Sequence, residues 1–518
     1  MFGEYQIEKR ASIRTSKVDF LGSAIESTPS EAHDQMGSRA KKSKGIEMTK
    51  QLGWIILALI AAFPRVSVAQ PLSAAFGEVD LTPEIKAERP VFLAGYGYNR
   101  RASGVHDPIM GRALLLDDGH KRIAIVGVDL IGLAFPDVQR IRDNLPNVDF
   151  TIVASTHSHE GPDVIGIWGP NPLSRGVDDS YVSLVVDRVS ELVTSLEKQL
   201  TPVTAKFGTV DDASLLRDSR LPEVYDPTLR VLRFQAVDSG ADVGLLVQWN
   251  SHPEAMGSRN TLLTGDFPAT TVAELQKKYH CPVVYVSGAV GGLLAPSRGQ
   301  FRDEQGNELQ EGDFAYCEAY GRAVAHLAAA AIDTATPITA TPFAVSAKPI
   351  AIAVENPLYK LARKLNVVRR PGFALTDDFE TFGQQVSREF RPDDAGLKSE
   401  VSVVALGELR IACIPGELYP ELVYGEFQNP VEPNADFPDA ELEPTVASLL
   451  ADKKWMLFGL ANDEIGYIIP KRQWDSQSPY AYGRDARQYG EINSCGVEVA
   501  PVVMEALRRR VADLEAAD

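Results

Sequence analysis

Between Phe76 and about Asp333, short β-branched runs alternate with amphipathic stretches, and this alternation constrains the fold more than any other feature of the chain. A run that is apolar at nearly every position suits a strand covered on both faces, and helices between such strands supply the covers. Six runs read as strands: RALLLDDG from Arg112, RIAIVGVDL from Arg122, DFTIVAST from Asp149, LRVLRFQAV from Leu229, VGLLVQWNS from Val243 and PVVYVSGAV from Pro282. Between them, Tyr181, Val185, Val189 and Leu192 form one helical stripe and Val272, Leu275 and Tyr279 another, at spacings of three and four. An Ala-rich helix including Ala323 to Ala331 closes this section. The pattern predicts an α/β fold, a largely parallel or mixed sheet flanked by helices. Strand-helix alternation favours the parallel form.

Residues 355–400 lose that rhythm and carry mixed charge with RRPGF and RPDDAG, which predicts a loop-rich connection or lid. A second α/β section then occupies 401–518. In it VVALGELRIACIPGE reads as a hairpin turning at Gly407 and Glu408, with a helix from about Pro420, the strand-like WMLFGLAN from Trp455 and a last helix from about Val497 to Leu514.

The most apolar stretch, Trp54 to Phe63, has ten residues, about half of the ~20 that a membrane-spanning helix requires. Lys50 precedes it and Ser67, Val68 and Ala69 follow it, the order of a secretory signal. Cleavage is expected after Ala69, with Met48 as the true start and Met1 to Glu47 as a disordered extension. The chain is then exported, and 70–354 forms the first folded section. An uncleaved anchor behind a disordered arm is the alternative. With 44% hydrophobic residues the composition is globular, and 52 basic against 70 acidic residues, a formal charge of -18, argues against a nucleic acid partner. The four cysteines are far apart. Cys281 and Cys413 lie beside apolar runs and read as small core residues, although export leaves a disulfide open.

Chemistry concentrates at strand ends. Of eight histidines, His157 and His159 follow an apolar strand in TIVASTHSHEGPD, where residues two apart on an extended segment face one side and converge on one ion or its bound water. His252 ends VGLLVQWNS just before Pro253. Hydrogen-bonded turn histidines are the plainer alternative, which three imidazoles at strand ends disfavour. Glu417 in CIPGEL suits the carboxylate that often completes such a site, or equally a helix start. Asp266 in LLTGDFPAT is either a site residue or the cap of a helix beginning near Pro268. The glycine run SGAVGG, Ser287 to Gly292, lacks the residues of a phosphate-binding loop and of a nucleophile elbow. It serves either an anionic oxygen or a close turn.

Together the strings THSHEGPD, SHPEAM, TGDFPA, PGE and GLANDEIGY, in this order from about Phe76 to Gly496 with GVHDPIMGRALLL near the start, resemble the neutral/alkaline (non-lysosomal) ceramidase family of zinc-dependent amidohydrolases. The resemblance implies Zn2+ held by His157, His252, Glu417 and a tyrosine ligand, Tyr467. It implies that His159 stands beside the water at the metal and that Tyr489, in RQYGE, polarises the scissile carbonyl. The implied reaction cleaves ceramide to a sphingoid base and a fatty acid, with a lipid-like N-acyl substrate taken at a membrane surface. Two departures stand out. Gly291 occupies the place of the family's catalytic-loop serine, with Ser287 and Ser297 nearby but out of register, and the family's C-terminal β-sandwich does not follow. Gly291 favours a second reading, a related zinc hydrolase of another N-acyl or ester bond; a third is an exported zinc-binding protein without activity. Trp168 in VIGIWGPNP would line an apolar groove for such a substrate, or else is ordinary half-buried packing.

Overall fold

The computed structural model describes residues 72–293, 295–387, 395–426 and 431–516. The expected signal, its cleavage point after Ala69 and the preceding arm lie outside these residues. Each of the six runs read as strands, from Arg112 to Pro282, forms one. The first sheet contains β1 (Ser73–Asp80), β2 (Met110–Asp117), β3 (Arg122–Val128), β4 (Phe150–Ser155), β5 (Thr201–Asp211), β6 (Thr228–Ala236), β7 (Asp242–Trp249) and β8 (Val283–Ser287). Its order is β8-β7-β6-β5-β1-β2-β3-β4, with β9 (Thr336–Ile338) paired to β5.

The sheet is mixed, and only β3 with β4 and β7 with β8 run parallel along that path. The largely parallel arrangement that the alternation favours is therefore not the one adopted. The reason lies in what uniformly apolar strands report, which is burial on both faces rather than strand direction. Leu114, Leu116, Ile123 and Ile125 point into one core shared with Leu232, Leu246 and Val284 from the other half of the sheet. Their neighbours Ala113, Leu115, Ala124 and Val126 share a layer with α1 (Phe135–Asp143), through Val138 and Ile141, and with α2 (Asp179–Leu196), through Val185 and Val189. Across the molecule Val231, Val247 and Val283 face α3 (Phe267–Tyr279) and α4 (Phe314–Asp333). Strands β2, β3 and β8 thus alternate between two dry layers, so both phases of their period-two pattern are buried.

The second sheet contains β10 (Phe343–Ala353), β11 (Gly372–Ala374), β12 (Gln385–Val386), β13 (Ala395–Leu406), β14 (Leu409–Cys413) and β16 (Lys454–Phe458); β15 (Glu417–Leu418) pairs separately with β17 (Tyr467–Ile468). The expected hairpin forms between β13 and β14, with Leu406 opposite Leu409 and Gly407 at φ +54 in the turn. One face of this sheet, through Val404, Ile411, Met456 and Phe458, enters the core of the first sheet. The other face packs Val403, Ala412 and Leu457 against Val503 and Leu507 of the C-terminal helix Val499–Glu515. The connection carries more order than a loop, because Asn356 caps a helix, Pro357–Lys364, by accepting from the Leu358 amide at 2.9 Å. All four cysteines are free and buried.

The two sheets are tied at β4, the edge strand that leads to His157. Residues 460–462 run antiparallel to it: Ser155 N donates to Leu460 O at 3.1 Å, and Asn462 N donates to Val153 O at 2.7 Å. The Asn462 side chain continues this ladder, accepting from Val153 N at 3.0 Å and donating to Glu400 at 3.1 Å. Glu400 also takes both Nη groups of Arg142 at 2.8 Å. Asn462 is fully buried, with φ +65. Asn462→Ala should cost about 1–3 kcal/mol for each buried group it orphans. Urea denaturation checks this, and an unchanged midpoint would mean that the tie carries no stability.

Candidate metal centre and cavity

His157 stands just beyond the end of β4 with φ +69, a left-handed conformation uncommon outside glycine. Its amide donates to Leu130 O at 3.0 Å and its Nδ1 donates to Ile131 O at 2.6 Å, which leaves Nε2 as the basic nitrogen. The two histidines of the His-x-His pair do converge, with ring centres 5.0 Å apart. They do so through this kink rather than by strand alternation. The His159 amide donates to Pro253 O at 3.2 Å, joining the loop to the one that carries His252.

His252 follows β7, whose end is fixed by Asn250. That side chain donates to the carbonyls of Asp226 and Thr228 and accepts from Gln248 and the Ala289 amide. The donor nitrogens of His157, His159 and His252 lie within 4.8 Å of one another, all buried. Asp266 is not among them. It caps α3 by accepting from Phe267 N at 2.7 Å, and it accepts from the amides of Ala255 and Met256 at 3.2 Å, holding the His252 loop from behind. Burial pushes its carboxyl up to about 6 against these amide bonds.

Glu417 arrives on β15, in parallel register with Tyr467 on β17. Its Oε2 lies 2.9 Å from His252 Nε2 and 3.4 Å from His157 Nε2. Burial alone would raise this carboxyl, but the two imidazoles outweigh it and hold Glu417 well below the usual carboxylate range. The Tyr467 ring centre is 6.4 Å from His252 and 5.9 Å from Tyr489, which is half-exposed at the edge of the site. Burial, with the carboxylates of Glu417 and Glu254, lifts the Tyr489 phenol to about 12. His159 is pushed well below the ordinary imidazole range by burial and then by its two histidine neighbours, and neither ring nitrogen has a hydrogen-bond partner.

Sequence reasoning passed over the residues that surround His159. The Tyr96 ring meets its edge at 4.9 Å, Glu254 lies 3.9 Å from Nδ1, and a Cβ at Gly95 would fall 2.4 Å from its Cγ. Arg100, ion-paired with Glu160 at 3.5 Å, donates to the His159 carbonyl. The run GYGYNR, Gly95 to Arg100, was the available signal. Glu464, from GLANDEIGY, lies near Glu417, and burial followed by that charge pushes it well above its ordinary range.

The cluster forms part of the wall of a cavity of about 980 Å³. His157, His159, Glu417, Tyr467 and Tyr489 line it on one side, and Ile165, Ile167, Trp168, Val354 and Leu397 supply apolar wall. Trp168 therefore faces the cavity. Such a lining, mostly apolar with a few convergent polar groups, is typical of small-molecule sites.

No family model matches the chain. Two solved structures do resemble it in three dimensions. Neutral ceramidase from Pseudomonas aeruginosa aligns with a TM-score of 0.65 at 14% identity, covering 86% of this chain and 75% of that one. A ceramidase complexed with C2 aligns at 0.63 and 14%, covering 86% and 76%. The fold is that of neutral ceramidase.

Gly291, on the loop after β8, has no room for a side chain. A Cβ there would lie 2.4 Å from the Tyr419 ring, 2.6 Å from the Leu418 carbonyl carbon and 2.7 Å from the Glu417 carbonyl oxygen. The strand carrying Glu417 has closed over the position. Ser287 is buried and donates to Thr156 O at 2.7 Å, supporting the backbone just before His157, while Ser297 belongs to a separate contact with Tyr316 and Gln300. Gly291→Ser should therefore displace Glu417 and lower stability by about 1–3 kcal/mol. Thermal melting checks this, and an unperturbed variant would show that the loop has room for a side chain.

Proposed function

We propose that the chain is an exported, zinc-dependent amidohydrolase of the neutral ceramidase type, cleaving the N-acyl amide of a ceramide-like lipid. The observation that carries this reading is the buried cluster of His157, His159, His252 and Glu417, of which His157, His159 and Glu417 line a largely apolar cavity, within the ceramidase fold. The donor set suits zinc: His157 Nε2 and His252 Nε2 face one carboxylate oxygen, and Tyr467 stands beside Glu417. In this reading the section before residue 355 brings His157, His159 and His252, and the section after 400 brings Glu417, Tyr467 and Tyr489.

Zinc bound there would supply Lewis acidity and make water nucleophilic at neutral pH, so that no serine is needed at Gly291. The Ile131 carbonyl holds His157 in the tautomer whose Nε2 is a donor to metal. His159, kept neutral at physiological pH, accepts a proton from the attacking water and returns it to the leaving amine. Tyr489 retains its proton and donates a hydrogen bond to the carbonyl oxygen as negative charge develops on it. The apolar wall from Ile165 to Trp168 takes the hydrocarbon chains. The steric closure at Gly291 favours a second reading, the same chemistry on another N-acyl or ester bond.

Release of a short-chain fluorescent ceramide's acyl group should be abolished by chelation and restored by zinc. A folded, zinc-loaded protein that fails on ceramide would move the assignment to another N-acyl or ester substrate. His157→Ala and His252→Ala should lose metal together with activity. His159→Ala should keep its metal and lose turnover by about 10²–10⁴-fold. Zinc content of the three purified variants separates these roles, and full metal retention by His157→Ala would remove it from the ligand set.

A further inference from the structure

Of the three clustered imidazoles, two have a partner that settles how the ring is turned. His157 Nδ1 donates to Ile131 O, and His252 Nε2 lies 2.9 Å from Glu417. The His159 ring has none: both of its nitrogens are buried, and neither makes a hydrogen bond among the described residues. A neutral imidazole carries its proton on one nitrogen or the other, and a buried N–H without an acceptor costs about 1–3 kcal/mol. Something must therefore choose between the two tautomers.

One acceptor faces the ring. Glu254 Oε2 lies 3.9 Å from His159 Nδ1, and the Glu254 carboxylate takes no hydrogen bond from any other described residue. Two unsatisfied and complementary groups thus stand opposite each other, and the backbone holds them there. His159 N donates to Pro253 O at 3.2 Å, while Tyr96, whose ring meets the edge of His159 at 4.9 Å, donates from its hydroxyl to Glu254 O at 3.3 Å. Glu254 N donates to His252 O at 2.9 Å and Gly257 N to Glu254 O at 3.2 Å, which pins the residue in a turn. Gly95 packs against the ring, since a Cβ there would lie 2.6 Å from Nδ1. A separation of 3.9 Å is a closure of about 1 Å, or one bridging water, away from a hydrogen bond. The Glu254 side chain is 24% exposed, so water can reach it. An acceptor on one ring nitrogen fixes the tautomer and makes the other nitrogen the basic one.

We propose that Glu254 is the positioning residue of His159: its side-chain oxygen accepts from Nδ1–H, directly or through one water, and so presents His159 Nε2 as the basic nitrogen toward His157 and His252. Three consecutive residues of one turn then divide the work. His252 enters the cluster, Pro253 holds the His159 backbone, and Glu254 sets the His159 ring. The catalytic consequence rests on the reading of His159 as proton carrier given above; the tautomer itself rests on the Glu254 contact.

Long-range proton–nitrogen NMR of the histidine side chains reads the tautomer without turnover. The His159 signals, assigned by their loss in His159→Gln, are expected in the Nδ1–H form in the zinc-loaded wild type and in Glu254→Gln, whose amide oxygen still accepts. Glu254→Leu should show a mixture of both forms. With a substrate that the wild type cleaves, Glu254→Leu should lose about 10–100-fold in kcat with KM little changed, and Glu254→Gln should recover most of the loss. Thermal melting identifies a variant that has lost its fold, and the wild-type tautomer decides the matter even then. The proposal is overturned if wild-type His159 carries its proton on Nε2, or if a folded Glu254→Leu keeps the Nδ1–H form. It is also overturned if both Glu254 variants lose zinc, because Glu254 would then support His252 rather than His159. A tautomer that changes in Glu254→Leu with no loss of turnover would uphold the contact and overturn the reading of His159 as proton carrier. An Nδ1–H form lost in Glu254→Leu, in a protein that hydrolyses no N-acyl or ester substrate, would likewise uphold the contact and overturn the catalytic reading.

Discussion

The centre depends on a short run of hydrogen bonds between residues 460–462 and the edge strand Phe150–Ser155. That strand ends two residues before His157, and the segment paired to it leads directly into Tyr467. This pairing, with the Gly459 amide donating to Ser287 O at 2.9 Å, sets the register between the histidine loops and the Glu417–Tyr467 pair. Asn462 is suited to the task because its amide imitates one more residue of backbone, and Asp463 extends the tie by accepting from the Phe135 amide at 2.9 Å and from Arg370 at 2.6 Å. The contact is small in area and entirely polar, yet it is buried, and a buried polar contact must be fully satisfied to persist.

The same economy governs the histidines. Burial and its two histidine neighbours push His159 down against the pull of Glu417, while His157 and His252 hold the Glu417 carboxyl down against burial. Around them stands a ring of polar supports: Asp266 behind the His252 loop, Arg100 and Glu160 beneath His159, and Asn250 at the end of the strand before His252. Glu160 is pushed up to about 8 by burial despite its arginine partner, so the support has its own desolvation cost. Rigidity at the clustered histidine nitrogens comes from these neighbours.

Much of this was legible in the chain. Strand and helix positions followed from period, because runs such as RIAIVGVDL are apolar in both phases only when both faces are covered. Strand direction was not legible, since parallel and antiparallel strands buried on both sides look alike in composition. The proximity of His157, His159 and His252 could be read from strand ends, although the left-handed backbone at His157 could not, because nothing in the letters THSHE marks it. Glu417 beside Tyr467 required a resemblance, as their pairing is a contact between distant two-residue strands. Asp266 was left ambiguous and resolves as a cap, since an Asp before Phe-Pro carries the same signal in either role. The supports at Gly95, Tyr96 and Arg100 were missed because a glycine-tyrosine repeat has no period and advertises only a turn.

His157 and Tyr467 are separated by more than 300 residues, with His252 and Glu417 spaced between them. An ion held by this set would therefore be a late arrival in the life of the molecule. During synthesis the first histidines leave the ribosome long before the strand that completes their surroundings, and a chain threaded through a membrane translocon would pass as a string of unconnected ligands. The centre can close only after the last third of the polypeptide has folded back onto the first. Under the proposed reading such an ion would be drawn from the compartment in which the protein finishes folding, and metal supply there, rather than in the compartment of synthesis, would set how much of the protein becomes active.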